Sequence, residues 1–218
     1  MAKIEKEISI PIYEISLTGE LFIPERAKGI IVFAHGSGSS RHSSRNKYVA
    51  KVLQDEGFAT LLFDLLTVKE DEGYNTRFDI DLLTDRLIKV TDWLKSDSEA
   101  GDLNIGYFGA STGAAATLKA AAVLGNSTIA AVVSRGGRPD LAEINLPEVE
   151  SPAMLIVGGL DTQVIDLNEK AFSMIGVVLK EIVIVQGASH LFEEPGKLEE
   201  VANLAIQWFN KYLFTVVE

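Results

Sequence analysis

The stretch Ile105-Gly106-Tyr107-Phe108-Gly109-Ala110-Ser111-Thr112-Gly113-Ala114-Ala115-Ala116 decides the fold. Residues 105–108 form a short apolar run, the pattern of a strand buried on both faces. Residues 114–124 are Ala-rich and almost wholly apolar, which predicts a buried helix. Between them lies a G-x-S-x-G. A sharp turn from strand to helix forces its serine into strained backbone geometry and lifts the hydroxyl above the sheet edge, at the positive end of a helix. Ser111 is therefore a candidate nucleophile, and a plain helix N-cap is the alternative reading.

Working outward, the same strand signal recurs. Apolar runs at 29–34, 58–63, 129–133, 154–157 and 182–185 each stop at Gly or a polar residue: His35-Gly36, Asp64, Ser134, Gly158-Gly159 and Gln186-Gly187. Helical periodicity fills the gaps at 46–54, 80–94, 167–175 and 198–213. The opening residues differ: 4–10 and 13–23 are rich in β-branched residues punctuated by Pro11 and Gly19, as in antiparallel strands. The polar stretch 69–81 reads as a loop running into a helix. Alternation of strand and helix predicts an α/β fold with a mostly parallel, doubly wound sheet, antiparallel N-terminal strands and helices on both faces. No repeat or linker divides the chain, so residues 1–218 read as one domain.

Composition narrows the function. With 31 acidic and 20 basic residues, the net charge of −11 repels phosphate backbones and anionic lipid, so neither nucleic acid nor membrane is an expected partner. The absence of cysteine removes thiolate nucleophiles, disulfides and Cys-type zinc sites. No apolar run approaches the ~18 residues of a membrane span. Charges in Met1-Ala2-Lys3-Ile4-Glu5-Lys6-Glu7 occupy the place of a signal peptide's apolar stretch. A soluble cytoplasmic protein is expected. Nothing in the sequence sets an oligomeric state.

In a doubly wound sheet the site lies beyond the C-terminal strand ends, so the polar residues there carry the functional information. A serine hydroxyl needs a base. The chain holds 3 histidines. His190, after the last strand, follows Ser111 in the order Ser, acid, His that a G-x-S-x-G turn carries. His35 is expected to be structural, hydrogen-bonded beneath a loop, and His42 lies in a Ser-rich loop. Asp161, after the strand at 154–157, is the expected orienting acid; Asp166 reads as a helix N-cap and Asp64 as a turn or arginine partner. The loop Gly36-Ser37-Gly38-Ser39-Ser40 can turn amides toward Ser111, and the expected oxyanion donors are the amides of Ser37 and Thr112. Phosphate binding by the same amides is the competing use, without a Walker lysine or a G-x-G-x-x-G to support it.

In order and spacing, His35-Gly36-Ser37-Gly38, Gly109 to Gly113, Gly159-Leu160-Asp161 and Ser189-His190 resemble the α/β-hydrolase superfamily over essentially the whole chain. Within it, GSGSSRHSSRN (36–46), SRGGRPDL (134–141) and HLFEEPG (190–196) are similar to dienelactone-hydrolase-related proteins. The resemblance implies an α/β-hydrolase fold, an eight-strand-type sheet, a Ser-Asp-His triad and ester hydrolysis without metal or cofactor. Dienelactone hydrolase proper uses a cysteine nucleophile where this chain has Ser111, so its substrate is not carried over. Lid insertions in this fold usually follow the strand that here ends near 133, and the short connection 134–150 leaves no room for a cap domain. An open site for a small ester or lactone is expected. Arg41, Arg45, Arg77, Arg135 and Arg138 fall just after parallel strands, a basic rim suited to an anionic substrate; alternatively they pin loops by pairing with Asp64, Asp79 or Asp140. Two further readings stay open: acyl transfer or amide hydrolysis on the same triad, and a noncatalytic ligand-binding protein on a hydrolase fold.

Overall fold

The computed structural model describes residues 3–214, so Met1 and Ala2 of the charged N-terminal stretch lie outside it. Strands β1 (Ile4–Ile12), β2 (Ile15–Ile23), β3 (Ile30–Ala34), β4 (Ala59–Phe63), β5 (Ile105–Ala110), β6 (Ile129–Arg135), β7 (Ala153–Gly158) and β8 (Lys180–Val185) form one 8-stranded sheet in the order β1-β2-β4-β3-β5-β6-β7-β8. The pairings β1 with β2 and β2 with β4 are antiparallel, and all others are parallel. Pro11 does not end β1 as its punctuation suggested; it pairs opposite Ser16, and β1 is an edge strand, where a missing N–H can face outward. The turn falls instead at Tyr13, whose φ is 52°.

Every residue of β3, β4, β5 and β7 is buried, which explains their continuous apolar runs. Successive side chains alternate between two cores. Val32, Leu61, Tyr107 and Leu155 pack with Leu87 and Val90 of α4 (Ile80–Ser96) and Leu118 of α5 (Thr112–Leu124). Ile31, Phe33, Phe108 and Ile156 pack on the other face with Leu53 of α1 (Ser44–Asp55) and Phe209 of α7 (Lys197–Tyr212). At ~25 cal/mol per Å² of apolar area, these two layers supply the main driving force for folding. Among the described residues, no helix is long and apolar enough to cross a membrane.

The polar stretch 69–81 is more ordered than expected: it carries α2 (Val68–Asp71) and α3 (Tyr74–Arg77) before α4. Thr67 and Glu70 form a reciprocal capping box at the start of α2. The connection after β6 folds into a 3₁₀ stretch, Pro139–Glu148, rather than a cap domain. Helix α6 (Thr162–Met174) begins earlier than the pattern at 167–175 implied. Asp166 is consequently an exposed residue inside the helix, not its N-cap, and Asp161 takes the capping position.

Candidate active site

Chain direction places the site. From β3 the chain moves to β4 on one side, and β5 lies on the other. The loops leaving β3 and β5 therefore part at a topological switch point, where a crevice opens beyond the strand ends. Gly36 and Ser37 come from the first loop and Ser111 from the second. All three line one cavity of about 220 Å³ with Ser39, Ser43, Arg45, Asn46, Ala110, Arg135, His190 and Leu191. A larger cavity, about 360 Å³, lies between the N-terminal strands and α1 and is lined by Glu5, Lys6, Glu7 and Glu20. It holds no candidate nucleophile, so chemistry rather than size selects the site.

Ser111 stands immediately before α5 with φ 51° and ψ −120°. A non-glycine residue at positive φ is strained and persists only where its surroundings impose it. Here they do. A Cβ at Gly113 would approach the Ala34 carbonyl oxygen to 2.2 Å, and one at Gly109 would meet Ala114 Cα at 2.5 Å. Only glycines at both positions let α5 press onto β3 and β5 and hold the turn tight. The Ser111 side chain makes no capping bond to the helix, so the N-cap reading fails and the hydroxyl is left for the cavity.

His190 Nδ1 and Asp161 Oδ2 are 2.6 Å apart. Asp161 occupies the N-cap position of α6, yet its side chain caps nothing in that helix; the carboxylate is given to the histidine. That bond fixes Nδ1 as the protonated nitrogen and leaves Nε2 as the free one. The histidine loop is tied down by Glu194, whose carboxylate accepts from the Ser189 amide at 3.0 Å. The Ser189 hydrogen bonds hold Glu194 below the ordinary glutamate range. Among the described residues, no hydrogen bond joins Ser111 Oγ to His190, though both line the cavity. Such contacts commonly close only with substrate bound.

The two amides expected as oxyanion donors stand in different surroundings. Thr112 is the first residue of α5, where an amide has no helical acceptor. The Ser37 amide, by contrast, donates to Thr112 Oγ1 at 2.8 Å. It is near Ser111 but engaged, so Thr112 bears on both amides expected as donors, through its own amide and through its hydroxyl.

His35 is sealed below the loop. Its Nδ1 meets the Gly36 carbonyl at 3.0 Å, and its Nε2 accepts from the Leu65 amide at 3.1 Å. Burial pushes its pKa down, against the opposing pull of the Gly36 carbonyl, Asp64 and Asp71. His42 pairs with Glu20 at 3.3 Å, away from the cavity lining. Asp64 accepts from the Arg41 amide at 2.8 Å and pairs with its guanidinium.

The basic rim separates into two groups. Arg41 faces Asp64 and Glu7, Arg77 is held by Asp71, and Arg138 by Asp140. None of these three lines the cavity. Asp79, weighed as a partner for the rim, instead caps α4 by accepting from the Leu82 amide at 3.0 Å. An aspartate captures each of the three arginines: Asp71 and Asp140 are close in sequence to Arg77 and Arg138, whereas Asp64 reaches Arg41 from the end of the neighbouring strand β4. Arg45 and Arg135 do line the cavity. Asn46, not singled out in the sequence although it ends the family-like stretch 36–46, joins them from the first turn of α1, where it is buried.

Strand order, the serine turn at the switch point and the absence of a cap define an α/β hydrolase. The chain matches the model of the dienelactone hydrolase family over residues 17–213 and belongs to that family. The solved structure titled dienelactone hydrolase from Anabaena variabilis is similar at 53% identity and a TM-score of 0.93, covering 97% of this chain and 99% of that one. A Mycobacterium tuberculosis protein, provisionally named a phosphoribosyl transferase, is 53% identical over 209 residues, 96% of this chain but 47% of its own length. The chain thus spans about half the length of the curated relatives it matches. Est1E from Butyrivibrio proteoclasticus shares the fold at 15% identity and a TM-score of 0.80, over 94% of this chain and 98% of that one.

Proposed function

We propose that this α/β hydrolase is a serine hydrolase that cleaves a small carboxylic ester or lactone through an acyl-enzyme. Ser111 is the nucleophile, His190 the general base and acid, and Asp161 the residue that orients the imidazole and stabilises its charged form. The observation that carries the reading is the 2.6 Å contact of Asp161 with His190 at the rim of a cavity that also receives the strained Ser111.

The chemistry follows from those positions. Ser111 Oγ adds to the ester carbonyl carbon as His190 Nε2 takes its proton. The carbonyl oxygen becomes an oxyanion at the start of α5, where the Thr112 amide and the helix dipole receive it. Ser37 becomes the second donor once the Thr112 hydroxyl releases its amide. The C–O bond breaks, and His190 returns the proton to the departing alkoxide. Water then repeats the addition and elimination on the acyl-enzyme, with His190 again as base, and frees the acid and Ser111. A lactone yields one hydroxy acid because its alkoxide stays tethered. The open cavity without a cap suits small substrates and admits the hydrolytic water, which favours hydrolysis over acyl transfer. The phosphoribosyl transferase name of the longer relatives concerns proteins about twice this length, and we read the half that this chain matches as their hydrolase portion.

Incubation with a fluorophosphonate probe tests the reading. Stoichiometric labelling at Ser111, mapped by mass spectrometry and lost in Ser111→Ala, is expected. Well-folded protein that does not label would overturn the serine mechanism and leave a noncatalytic binding protein on the hydrolase fold.

A further inference from the structure

The two halves of the catalytic arrangement are braced in different ways. The acid and the base are tied to each other: the Leu160 amide donates to the Ala188 carbonyl at 2.9 Å, so the turns that carry Asp161 and His190 are joined beside their side-chain contact. The nucleophile is tied to the loop that leaves β6. The Ser111 amide donates to the Arg135 carbonyl at 3.3 Å, and the Arg138 amide donates to the Ser111 carbonyl at 3.1 Å. Residues 135–138 grip both sides of Ser111, whose φ of 51° persists only while its neighbours impose it.

The same loop reaches the base. A Cβ on Gly136 would come within 3.1 Å of the His190 carbonyl oxygen and 3.5 Å of its ring Cε1. One on Gly137 would meet Ser134 Oγ at 2.1 Å and Ala114 Cβ at 2.8 Å, so the loop also lies close against α5. The position of residues 136–138 thus sets how Ser111 and His190 face each other. The Gly136 amide is held by the Ile156 carbonyl of β7 at 2.8 Å. Gly137 is buried, so its carbonyl needs a donor of its own.

Asn168 of α6 supplies that donor. Its Nδ2 donates to the Gly137 carbonyl at 3.0 Å and, one turn back in its own helix, to the Val164 carbonyl at 2.8 Å. Both hydrogens are spent, and Oδ1 is buried without a partner. The residue is 0% exposed. A leucine would fill the same space without leaving an acceptor unsatisfied. What the asparagine adds is the bond across to the loop. The helix that carries it begins at Asp161, so one rigid element holds the acid at its start and the anchor of the nucleophile's loop about two turns further on.

We infer that Asn168 is a positioning residue of the reaction: its bond to Gly137 fixes the loop 135–138, and through that loop the approach of Ser111 to His190 Nε2. The role rests on the serine-hydrolase reading, because it requires Ser111 and His190 to be partners. Asn168 does not line the cavity, so its effect falls on kcat and not on substrate binding.

The test starts from Asn168→Leu, which keeps the bulk and has no donor. Well below its melting midpoint, kcat for para-nitrophenyl acetate is expected to fall about 30-fold or more, with KM within about threefold of the parent. Fluorophosphonate labelling of Ser111 should slow by a similar factor, since it uses the same proton transfer to His190. Ile175→Ala deletes a buried side chain at the end of the same helix and leaves the bond to Gly137 in place. Its melting midpoint should fall, while kcat and labelling stay within about twofold of the parent. Equal rates in folded Asn168→Leu and the parent would overturn the role and leave the serine mechanism standing. Parallel losses in Asn168→Leu and Ile175→Ala would overturn it too, because general loosening would then suffice. A parent protein that does not label would remove the serine mechanism, and this role with it. Should Asn168→Leu not fold, the parent protein decides: the NMR signals of the Asn168 side-chain amide should shift when Ser111 is phosphonylated, whereas those of Asn210 on α7 should not. Unmoved Asn168 signals would overturn the role.

Discussion

His35 and His190 both follow parallel strands at the same edge of one sheet, and their surroundings give them opposite duties. His35 is 6% exposed and has both ring nitrogens satisfied by backbone groups. It closes a turn: its Nδ1–H meets the Gly36 carbonyl, its Nε2 holds the Leu65 amide, and burial keeps it neutral. His190 has a side chain 39% exposed, one nitrogen on a carboxylate and the other unclaimed at the cavity. A histidine with both nitrogens occupied can only latch. A histidine with one nitrogen anchored and one free can move a proton. The difference lies in the partners, since both residues sit at comparable ends of comparable strands.

The largest expected effect breaks the comparison on the catalytic side. His190→Ala should lower kcat/KM toward an ester by about 10⁴-fold or more, because Ser111 loses its base. Its thermal midpoint should move little, since a half-exposed ring is removed. Steady-state kinetics and a melting curve on the same preparation check both halves. Activity within about tenfold of the parent would show that another group deprotonates Ser111.

Smaller in free energy is the effect on the structural side. His35→Ala leaves the Leu65 amide buried without an acceptor and opens space beneath the loop. An unsatisfied buried donor costs about 1–3 kcal/mol, so the urea midpoint should fall accordingly. The folded fraction should keep far more activity than His190→Ala does. An unchanged midpoint would mean that water replaces the imidazole at no cost and that His35 is no latch.

This contrast also measures what the sequence made legible. The fold was readable because β3, β4, β5 and β7 are buried on both faces and must be apolar throughout. Chain order singled out Ser111, Asp161 and His190, and Asp161 and His190 do meet. What escaped notice depends on contacts between segments distant in sequence. The start of α6 was hidden because Asp161 holds the capping position while spending its carboxylate on His190, 29 residues away. The engagement of the Ser37 amide by Thr112 spans 75 residues. Arg135 is the last residue of β6, and Arg138 lies in the loop that follows it. The structure distinguishes them: Asp140 pairs with Arg138, and among the described residues no carboxylate pairs with Arg135.

The smallest effect sharpens the comparison through pH. The folded-state pKa of His35 lies below its ordinary value, with burial as the largest cause. In an unfolded chain the same group titrates near 6.5. Between those two values the unfolded chain binds a proton that the native protein refuses, so acid favours unfolding there. The stability that neutral His35 contributes is full above about pH 6.5 and is lost as pH falls toward the folded-state value, with a slope of at most ~1.4 kcal/mol per unit. Carboxylates act lower on the scale. Burial raises the pKa of Glu70, but the Thr67 and Arg86 contacts outweigh it and hold it below the ordinary glutamate value of about 4.5. Its contribution is therefore present above about pH 4.5 and disappears only below it. Urea midpoints taken from pH 7.5 to pH 5 isolate the histidine window. The protein should weaken steadily across it, whereas His35→Gln, which retains a donor and an acceptor without a titrating ring, should be weaker overall and nearly flat. A slope that survives in His35→Gln would place the acid sensitivity elsewhere and undo the assignment of His35 as the neutral, buried member of the pair.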